Sequence, residues 1–589
     1  MSLIMTTKLW YKKPAHPSPA AQRLADELNV DPVIGQLLVD RGIFTFEEAK
    51  SFFRPQLTDL HDPFLMRDMD LAVDRLTAAV EVGERILVFG DYDVDGTTAV
   101  TLVYSFLKKL GVDCAFYIPD RYKEGYGFSY LGVDYAVENE YSLIITLDCG
   151  IKDVEKVKYA NERGIDIIIC DHHNPGELPD AVAVLDPKRP DCYYPFKGLS
   201  GCGVGFKLLQ AFCMRHKIPN DHLFGYLDLL TISIGADIVP LVGENRILAY
   251  FGLQQLAQGP RRPGIQAMLD QAAFVKPVLT ITDVVFVLAP RINAAGRIFS
   301  GARAVELLLA ETVEEAQSIS PSVEDNNNTR KTLDKEITAE AIEIVQDDSF
   351  YSTSFTTVVA SQKWHKGVVG IVASRLVESY YKPTIVLVEA DGKLSGSARS
   401  IPGVDLFDML GKCSDLLIQF GGHTMAAGLL LNKENFHAFR ERFDAAVAEF
   451  LKGERPLPNV HYDVELNLEQ ITGKFYRVLK QFAPFGPENM KPVFLTRKMV
   501  DAAGTRQVGA EKNHLKLQVK QEGNDALVMD GIGFDLGAWC DELNQGKPVD
   551  VLYTIEENEW NGQVSLQLNV KDIHLSESKH EQISEPSVS

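Results

Sequence analysis

From about residue 70 the chain alternates short, continuous apolar runs with amphipathic stretches. ILVF (86–89), SLIIT (142–146), IDIIIC (165–170) and AVAVLD (181–186) are predominantly apolar without alternation, and helical periodicity fills much of the intervening sequence. Strands with no polar alternation are buried on both faces, so this pattern predicts a parallel sheet between two helical layers. Upstream, residues 21–54 read as two short amphipathic helices, interrupted at Asp31-Pro32 and at Gly42, and Pro55 and Pro63 then mark a connector. LFGYLDLLTISIGADIVPL (223–241) reads as a buried helix ending near Asp237 and Pro240.

A polar, helix-prone stretch over 301–347, containing EDNNNTRK, has little apolar surface and reads as a helical bridge between domains. Strand signals resume at TTVVAS (356–361) and TIVLVEA (384–390), with helices expected near 367–380 and 404–418, a second α/β unit. Beyond Pro456 the spacing shortens to HLKLQVK, ALVMDGIGF, VDVLYTI and VSLQLNV, the rhythm of a small barrel or sandwich. The expected partition is an N-terminal helical segment (1–65), a first α/β domain (66–300) and a connecting helix (301–347). A second α/β domain (348–455), a β domain (456–575) and a polar, disordered tail (576–589) follow.

The 589 residues carry a net charge of −22, 46% of them hydrophobic and 24% charged, which excludes bulk disorder and fibrous classes. No apolar run reaches the length of a membrane span, and residues 1–13 hold no apolar signal core. Eight cysteines are scattered without a C-x-x-C pair, which argues against a zinc ribbon and suits a reducing, cytoplasmic setting. The acidic balance counts against a surface coated in basic charge. It leaves room for a local basic groove, and it leaves carboxylates free for metals.

Those carboxylates fall at strand ends. Three successive apolar strands stop at GDYDVDG (90–96), LDCG (147–150) and DHH (171–173). In a doubly wound sheet these ends share one edge, so Asp91, Asp93, Asp95, Asp148, Asp171, His172 and His173 should converge, with Asp237 arriving from its helix. Any one of these aspartates would serve equally well as a helix N-cap. Three successive strand ends with this composition favour a metal centre, because so many acids repel unless cations lie among them. Mixed Asp/His ligation favours Mn²⁺ or Mg²⁺, leaves Zn²⁺ open and excludes iron–sulfur clusters. Two such ions bridged by a carboxylate would suit in-line phosphoryl displacement.

GDYDVDG, LDCG, DHH and GADIVPL (235–241) resemble motifs I to IV of the DHH phosphoesterase superfamily. RINAAGRI (291–298), WHKGVVGIVASRL (364–376), SGSARS (395–400) and FGGHTMAAG (420–428) resemble, in that order, the RecJ family of bacterial exonucleases. The resemblance runs from about residue 20 to 575. It implies DHH and DHH-associated α/β domains around a cleft, joined by a long helix, plus a C-terminal OB-like β-barrel. It implies a 5′→3′ exonuclease for single-stranded DNA that acts in repair and recombination and uses two divalent cations, Mn²⁺ preferred or Mg²⁺. By the same resemblance Asp93 and Asp148, with Asp91 alongside, would hold one ion, and Asp95, Asp148, His172 and Asp237 the other. His173 would lie by the scissile phosphate. Many members carry histidine where Asp91 stands. A monomer working with a single-stranded-DNA-binding protein and a helicase is also implied.

An enzyme that works from an end needs a pocket of arginine donors, hydroxyls and backbone N–H groups for a terminal phosphate. Arg121, Arg291, Arg297, Ser397, Arg399, Gly421, Gly422 and His423 are the candidates, the last three in a glycine loop. Residues 491–520 hold seven Lys or Arg against two acids, a local charge of +5 suited to a strand's backbone. Two other readings stand beside this one. They are a phosphodiesterase for short oligonucleotides or cyclic dinucleotides, and a catalytically silent DNA-binding scaffold.

Overall fold

A computed structural model describes residues 8–16, 18–298, 300–560 and 562–576. The tail expected over 576–589 therefore lies, but for its first residue, outside the described residues, as do residues 1–7 of the segment read for a signal core. The chain forms two compact units, one from Leu57–Pro456 and the other from the described parts of 1–56 and 457–589.

The larger unit begins with a five-stranded sheet among the described residues. Its strands are, in spatial order, Cys114–Tyr117, Ile86–Gly90, Leu143–Leu147, Asp166–Cys170 and Ala183–Leu185, all parallel. Alternate side chains go to opposite cores. Ile86, Val88, Ile145 and Ile168 pack with the helices Val94–Lys109 and Gly201–His216, while Leu87, Phe89, Ile144 and Ile167 pack under Tyr130–Glu138 and Val154–Asn161. That period-two division is why the strands read as unbroken apolar runs. Truncating a central residue such as Ile145 to alanine would cost about 2–5 kcal/mol through the cavity it leaves.

The bridge is a 35-residue helix, Val313–Asp347, preceded by the shorter Ala302–Leu309. It is less polar in its contacts than in its composition. Ala316 and Val323 enter the first domain's core, while Ile337, Ala341 and Val345 enter that of the second. Five apolar positions spread over so long a helix leave a weak periodicity. The second domain's sheet runs Leu417–His423, Ala426–Asn432, Lys393–Arg399, Thr384–Ala390, Thr357–Ser361. Only the last two strands are parallel. The expected glycine loop at 421–422 is instead the edge strand of a hairpin. Small residues hide these strands from any hydrophobic pattern, and for a reason: a Cβ on Gly396 would come within 1.9 Å of the Val386 carbonyl oxygen.

In the smaller unit, 18–53 holds three helices rather than two: Ser18–Leu28, Pro32–Val39 and Phe46–Phe53. Asp31 caps the second through the Val33 N–H, with Pro32 in its first turn, and Thr45 and Glu48 form a reciprocal capping box on the third. The main sheet of the β domain has seven strands among the described residues, and the pairing of Phe494–Asp501 with both Val549–Trp560 and His514–Gln521 closes five of them into a ring. The helices share its core: Leu24, Ile34, Leu37 and Leu38 lie in one cluster with Phe475, Phe482, Phe494 and Tyr553. Leu9–Lys12 also pairs in parallel with Asn459–Tyr462. Among the described residues no helix is long and apolar enough to cross a membrane.

The shared core dictates how the chain can be cut. A fragment 57–456 should melt in one cooperative transition without binding a hydrophobic dye. A fragment 1–456, whose N-terminal helices have lost their apolar partner, should bind the dye or aggregate. Dye-free, soluble 1–456 would refute the shared-core assignment.

Candidate active site

Asp91 follows the strand Ile86–Gly90 and is fully buried. Its Oδ1 accepts from the Gly127 N–H at 3.3 Å, and its Oδ2 is buried with no partner among the described residues. Asp93 is the N-cap of Val94–Lys109, accepting from the Gly96 N–H at 3.0 Å. Gly96 is obligatory there, because a Cβ would lie 2.3 Å from the Asp91 carbonyl oxygen. Two residues on, Asp95 is held by three donors: the N–H groups of Gly201 (2.6 Å) and Cys202 (2.8 Å) at the start of Gly201–His216, and the Ser233 hydroxyl (2.7 Å). A helix N-terminus favours such an anion.

Asp148, after the next strand, takes a left-handed backbone (φ 59°) and packs against Gly201, where a Cβ would stand 2.5 Å from its own. After the strand Asp166–Cys170, Asp171 accepts from the N–H groups of Ile151 (3.0 Å), His172 (2.7 Å) and His173 (3.1 Å). His172 Nε2 lies 3.2 Å from Asp148 Oδ1, 3.4 Å from Asp237 Oδ2 and 3.8 Å from Asp95 Oδ2. Yet neither of its ring nitrogens has a hydrogen-bond partner among the described residues. His173 Nδ1 meets Asp171 Oδ1 at 2.7 Å, and its Nε2 meets the Tyr126 hydroxyl at 3.0 Å.

The expected residues thus come together, in overlapping groups whose ligand atoms lie within 4.8 Å of one another: Asp91, Asp93 and Asp148; Asp95, His172 and Asp237; and Asp148, His172 and His173. Burial, with Asp95 and Asp93 nearby, pushes Asp148 well above the carboxylate range and Asp237 up to about 8. Burial and Asp93 raise Asp91, and burial and Asp95 raise Asp93. Burial lowers His172 against the pull of Asp95, favouring the neutral ring that a metal needs. Asp171 moves the other way. Burial opposes its charge, but the His173 ring and its backbone donors hold it at about 2. Crowded carboxylates, an orphaned Asp91 oxygen and an unpartnered His172 ring are a donor set that fits divalent cations. The strand-end pattern had one more member, overlooked in the sequence: Asp186, after Ala183–Leu185, is raised to about 7 by burial.

Beside this cluster a cavity of about 620 Å³ lies between the two α/β domains. Arg121, Arg297, Ser397, Arg399 and Gly422 line it, as expected. Burial, with Arg121, Arg330 and Arg399 nearby, lowers Arg297 to about 10 against the pull of Asp93. Gly421 and His423 belong to the exposed edge strand and are not among the lining residues. Arg291 does not reach the cavity either. It is buried, with Nε 2.6 Å from Glu324 Oε2, and it ties its helix to the long bridge. Tyr92, Tyr126 and Lys366 line the cavity and were not singled out by sequence, although Lys366 sits in WHKGVVG and Tyr126 between two glycines. Tyr92, between Asp91 and Asp93, and Tyr126, bonded to His173, connect cavity and cluster.

In the β domain the +5 of residues 491–520 is largely offset. Lys491 pairs with Glu556, Arg497 with Glu465 and Asp550, Lys498 with Glu522, and Lys520 with Asp525. Arg506 and Lys516 face each other across neighbouring strands.

A parallel sheet with Asp and His at its strand ends, facing a second domain across an arginine-lined cavity, defines the DHH class. Family models agree: DHH family, N-terminal domain, over 85–234; DHHA1 domain over 352–449; and RecJ OB domain over 462–572. The single-stranded-DNA-specific exonuclease RecJ of Bacillus subtilis is 39% identical across 94% of this chain and 69% of that protein. Its counterpart in Salmonella typhimurium is 35% identical across 94% and 98%. The crystal structure of Thermus thermophilus RecJ with Mn²⁺ superposes with a TM-score of 0.80 at 27% identity, covering 97% of this chain and 80% of that one. The same protein has been solved with Mg²⁺ (TM-score 0.75, 26% identity, 97% and 79% covered). The chain belongs to the RecJ family.

The raised carboxylates fix a sign for stability. An acid whose pKa is higher folded than unfolded binds more protons when folded, so its contribution is complete below about pH 4 and is lost as pH rises. For Asp237 that loss continues up to about pH 8. The metal-free unit 57–456 should therefore melt lower at pH 8 than at pH 5. Asp148→Asn should raise the metal-free melting temperature at pH 8 and shrink the gain on adding Mn²⁺. A pH-8 melt that neither Mn²⁺ nor this substitution moves would refute the assignment.

Proposed function

We propose that this chain is a metal-dependent 5′→3′ exonuclease that removes 5′-mononucleotides from single-stranded DNA. The observation that carries it is the arginine-lined cavity beside the carboxylate–histidine cluster. A terminal phosphate monoester carries up to two negative charges, against one on an internal diester. Three arginines, Arg121, Arg297 and Arg399, are a better match for the former. With the end phosphate held there, the first internal phosphodiester would fall at the cluster.

Two divalent cations, Mn²⁺ preferred or Mg²⁺, held by Asp91, Asp93 and Asp148 and by Asp95, Asp148, His172 and Asp237, would acidify the attacking water and offset charge on the phosphoryl oxygens. The chain supplies placement. Asp95 is immobilised by three donors, and Asp171 orients both histidines through their backbone N–H groups. The arginines fix which bond is presented. The β domain would take the strand further from the cut, with Arg506 and Lys516 as phosphate contacts. A monomer acting in repair and recombination with a single-stranded-DNA-binding protein and a helicase fits this activity. Cyclic dinucleotides, which have no end, would leave the arginines without a partner, and a silent scaffold would not need a full set of donors.

The test is digestion of labelled strands. Mononucleotides should leave from 5′ ends, circular single strands should resist, and a chelator should stop the reaction. Arg297→Ala or Arg399→Ala should raise KM at least tenfold and erase any preference for 5′-phosphorylated over 5′-hydroxyl ends. Cleavage of circles, or first release from 3′ ends, would overturn the reading.

A further inference from the structure

Tyr126 stands on a loop built to present it. Gly125 and Gly127 on either side both take left-handed backbone (φ 86° and 81°). The Glu124 carboxylate braces the loop from one flank, accepting from the Asp120 N–H (2.7 Å), the Tyr117 hydroxyl (3.1 Å) and the Ser129 hydroxyl (2.6 Å). On the other flank the Gly127 N–H donates to Asp91 and the Phe128 N–H to Asp153, each at 3.3 Å. The tyrosine between these anchors lines the cavity with its ring and sets its hydroxyl 3.0 Å from His173 Nε2.

The bonding pattern assigns the protons. Three backbone N–H groups point at Asp171, and only an acceptor satisfies all three. His173 Nδ1, 2.7 Å from the same carboxylate, must therefore be the donor. In the neutral ring Nε2 is then the acceptor, and the Tyr126 O–H donates to it. Asp171 alone would hold the ring at one nitrogen and leave it free to tilt. The Tyr126 hydroxyl holds it at the second.

We propose that Tyr126 is a positioning residue for the hydrolysis: through its hydroxyl it fixes the orientation of His173, whose tautomer Asp171 sets, so that Nε2 is presented at the junction of cavity and cluster. This rests on the hydrolytic reading above and adds a residue to it. The ring of Tyr126 has a competing use, as a wall against the terminal nucleoside, and the two uses separate chemically. Positioning needs the oxygen, whereas packing needs only the ring.

The experiment compares full-length wild type, Tyr126→Phe, His173→Ala and the double variant, with Mn²⁺ and a 5′-phosphorylated single strand. Tyr126→Phe should lower kcat about tenfold or more, the scale of a small misplacement at a reacting centre, while KM changes less than twofold. The double variant should be no slower than His173→Ala alone. Wild-type kcat in Tyr126→Phe, or losses that multiply in the double variant, would overturn the proposal. The second readout needs no turnover: ¹⁵N shifts of labelled histidine in the metal-free protein, with His173→Ala giving the assignment. At a pH where the ring is neutral, the Nε2 resonance of His173 should shift in Tyr126→Phe as its hydrogen bond is lost while the Nδ1–H pattern set by Asp171 stays, and an unchanged Nε2 resonance would count against the proposal. If wild type cuts no single strand, the functional reading fails on its own and the spectrum still decides this one.

Discussion

Five carboxylates, Asp91, Asp93, Asp95, Asp148 and Asp237, and the imidazoles of His172 and His173 are packed where parallel strands end together, largely out of water. Unpaired charge in such a place is costly, and the protein does little to relieve it with its own donors. Three hydrogen bonds go to Asp95 and three backbone N–H groups to Asp171, while Asp91 Oδ2 and both nitrogens of His172 are left without partners among the described residues. The unequal treatment is informative. Asp171, which orients the histidines, and Asp95 are satisfied by the fold, while Asp91 and His172, which would bind cations, are left wanting partners. The apolar sheet holds the cluster together, because its two cores fix the strands whatever the charges at their ends.

The cavity repeats the arrangement with the opposite sign. Arg121, Arg297 and Arg399 gather there, and burial together with its cationic neighbours pulls Arg297 down to about 10. These arginines do not simply neutralise the nearby aspartates. The Arg121 guanidinium lies over the Tyr92 ring, 4.9 Å from its centroid, and Tyr126 stands at the same boundary. Two aromatic side chains thus keep a site for anions apart from a site for cations. A phosphate chain with metal ions is the kind of ligand that satisfies both at once. A chain of net charge −22 can grip a polyanion this way, because the attraction is local.

What the sequence revealed, and what it hid, follows from which interactions are local. Buried parallel strands are continuous apolar runs, so their ends, and the acids at those ends, were visible. The hairpin of the second domain was not, since Gly396 and Gly422 are there for close backbone approach and, like Gly421, carry no hydrophobic pattern. That the charge of 491–520 is partly paired was not legible, because Glu465, Asp550 and Glu556 come from distant parts of the chain. The N-terminal helices were legible as helices through Asp31-Pro32 and Thr45-x-x-Glu48, but nothing local says that they cover a domain more than four hundred residues away.

Arg291 shows what a misread residue can still do for the site. Its partner Glu324 lies on Val313–Asp347, the helix whose two ends are embedded in the cores of the two α/β domains. Further along, Asp334 takes a two-pronged contact from Arg375 of the second domain, 2.9 Å at Nε and 2.8 Å at Nη2. The Arg291–Glu324 pair is buried on both sides, and breaking such a pair costs about 3–5 kcal/mol because a desolvated charge is left behind. The helix is therefore pinned to each domain by a charge pair as well as by apolar contacts. The strand carrying Ser397 and Arg399 and the edge carrying the carboxylates are held at a set separation by this helix. A nuclease that measures one nucleotide from an end needs such a fixed distance, and Arg291 helps to maintain it without touching the phosphate.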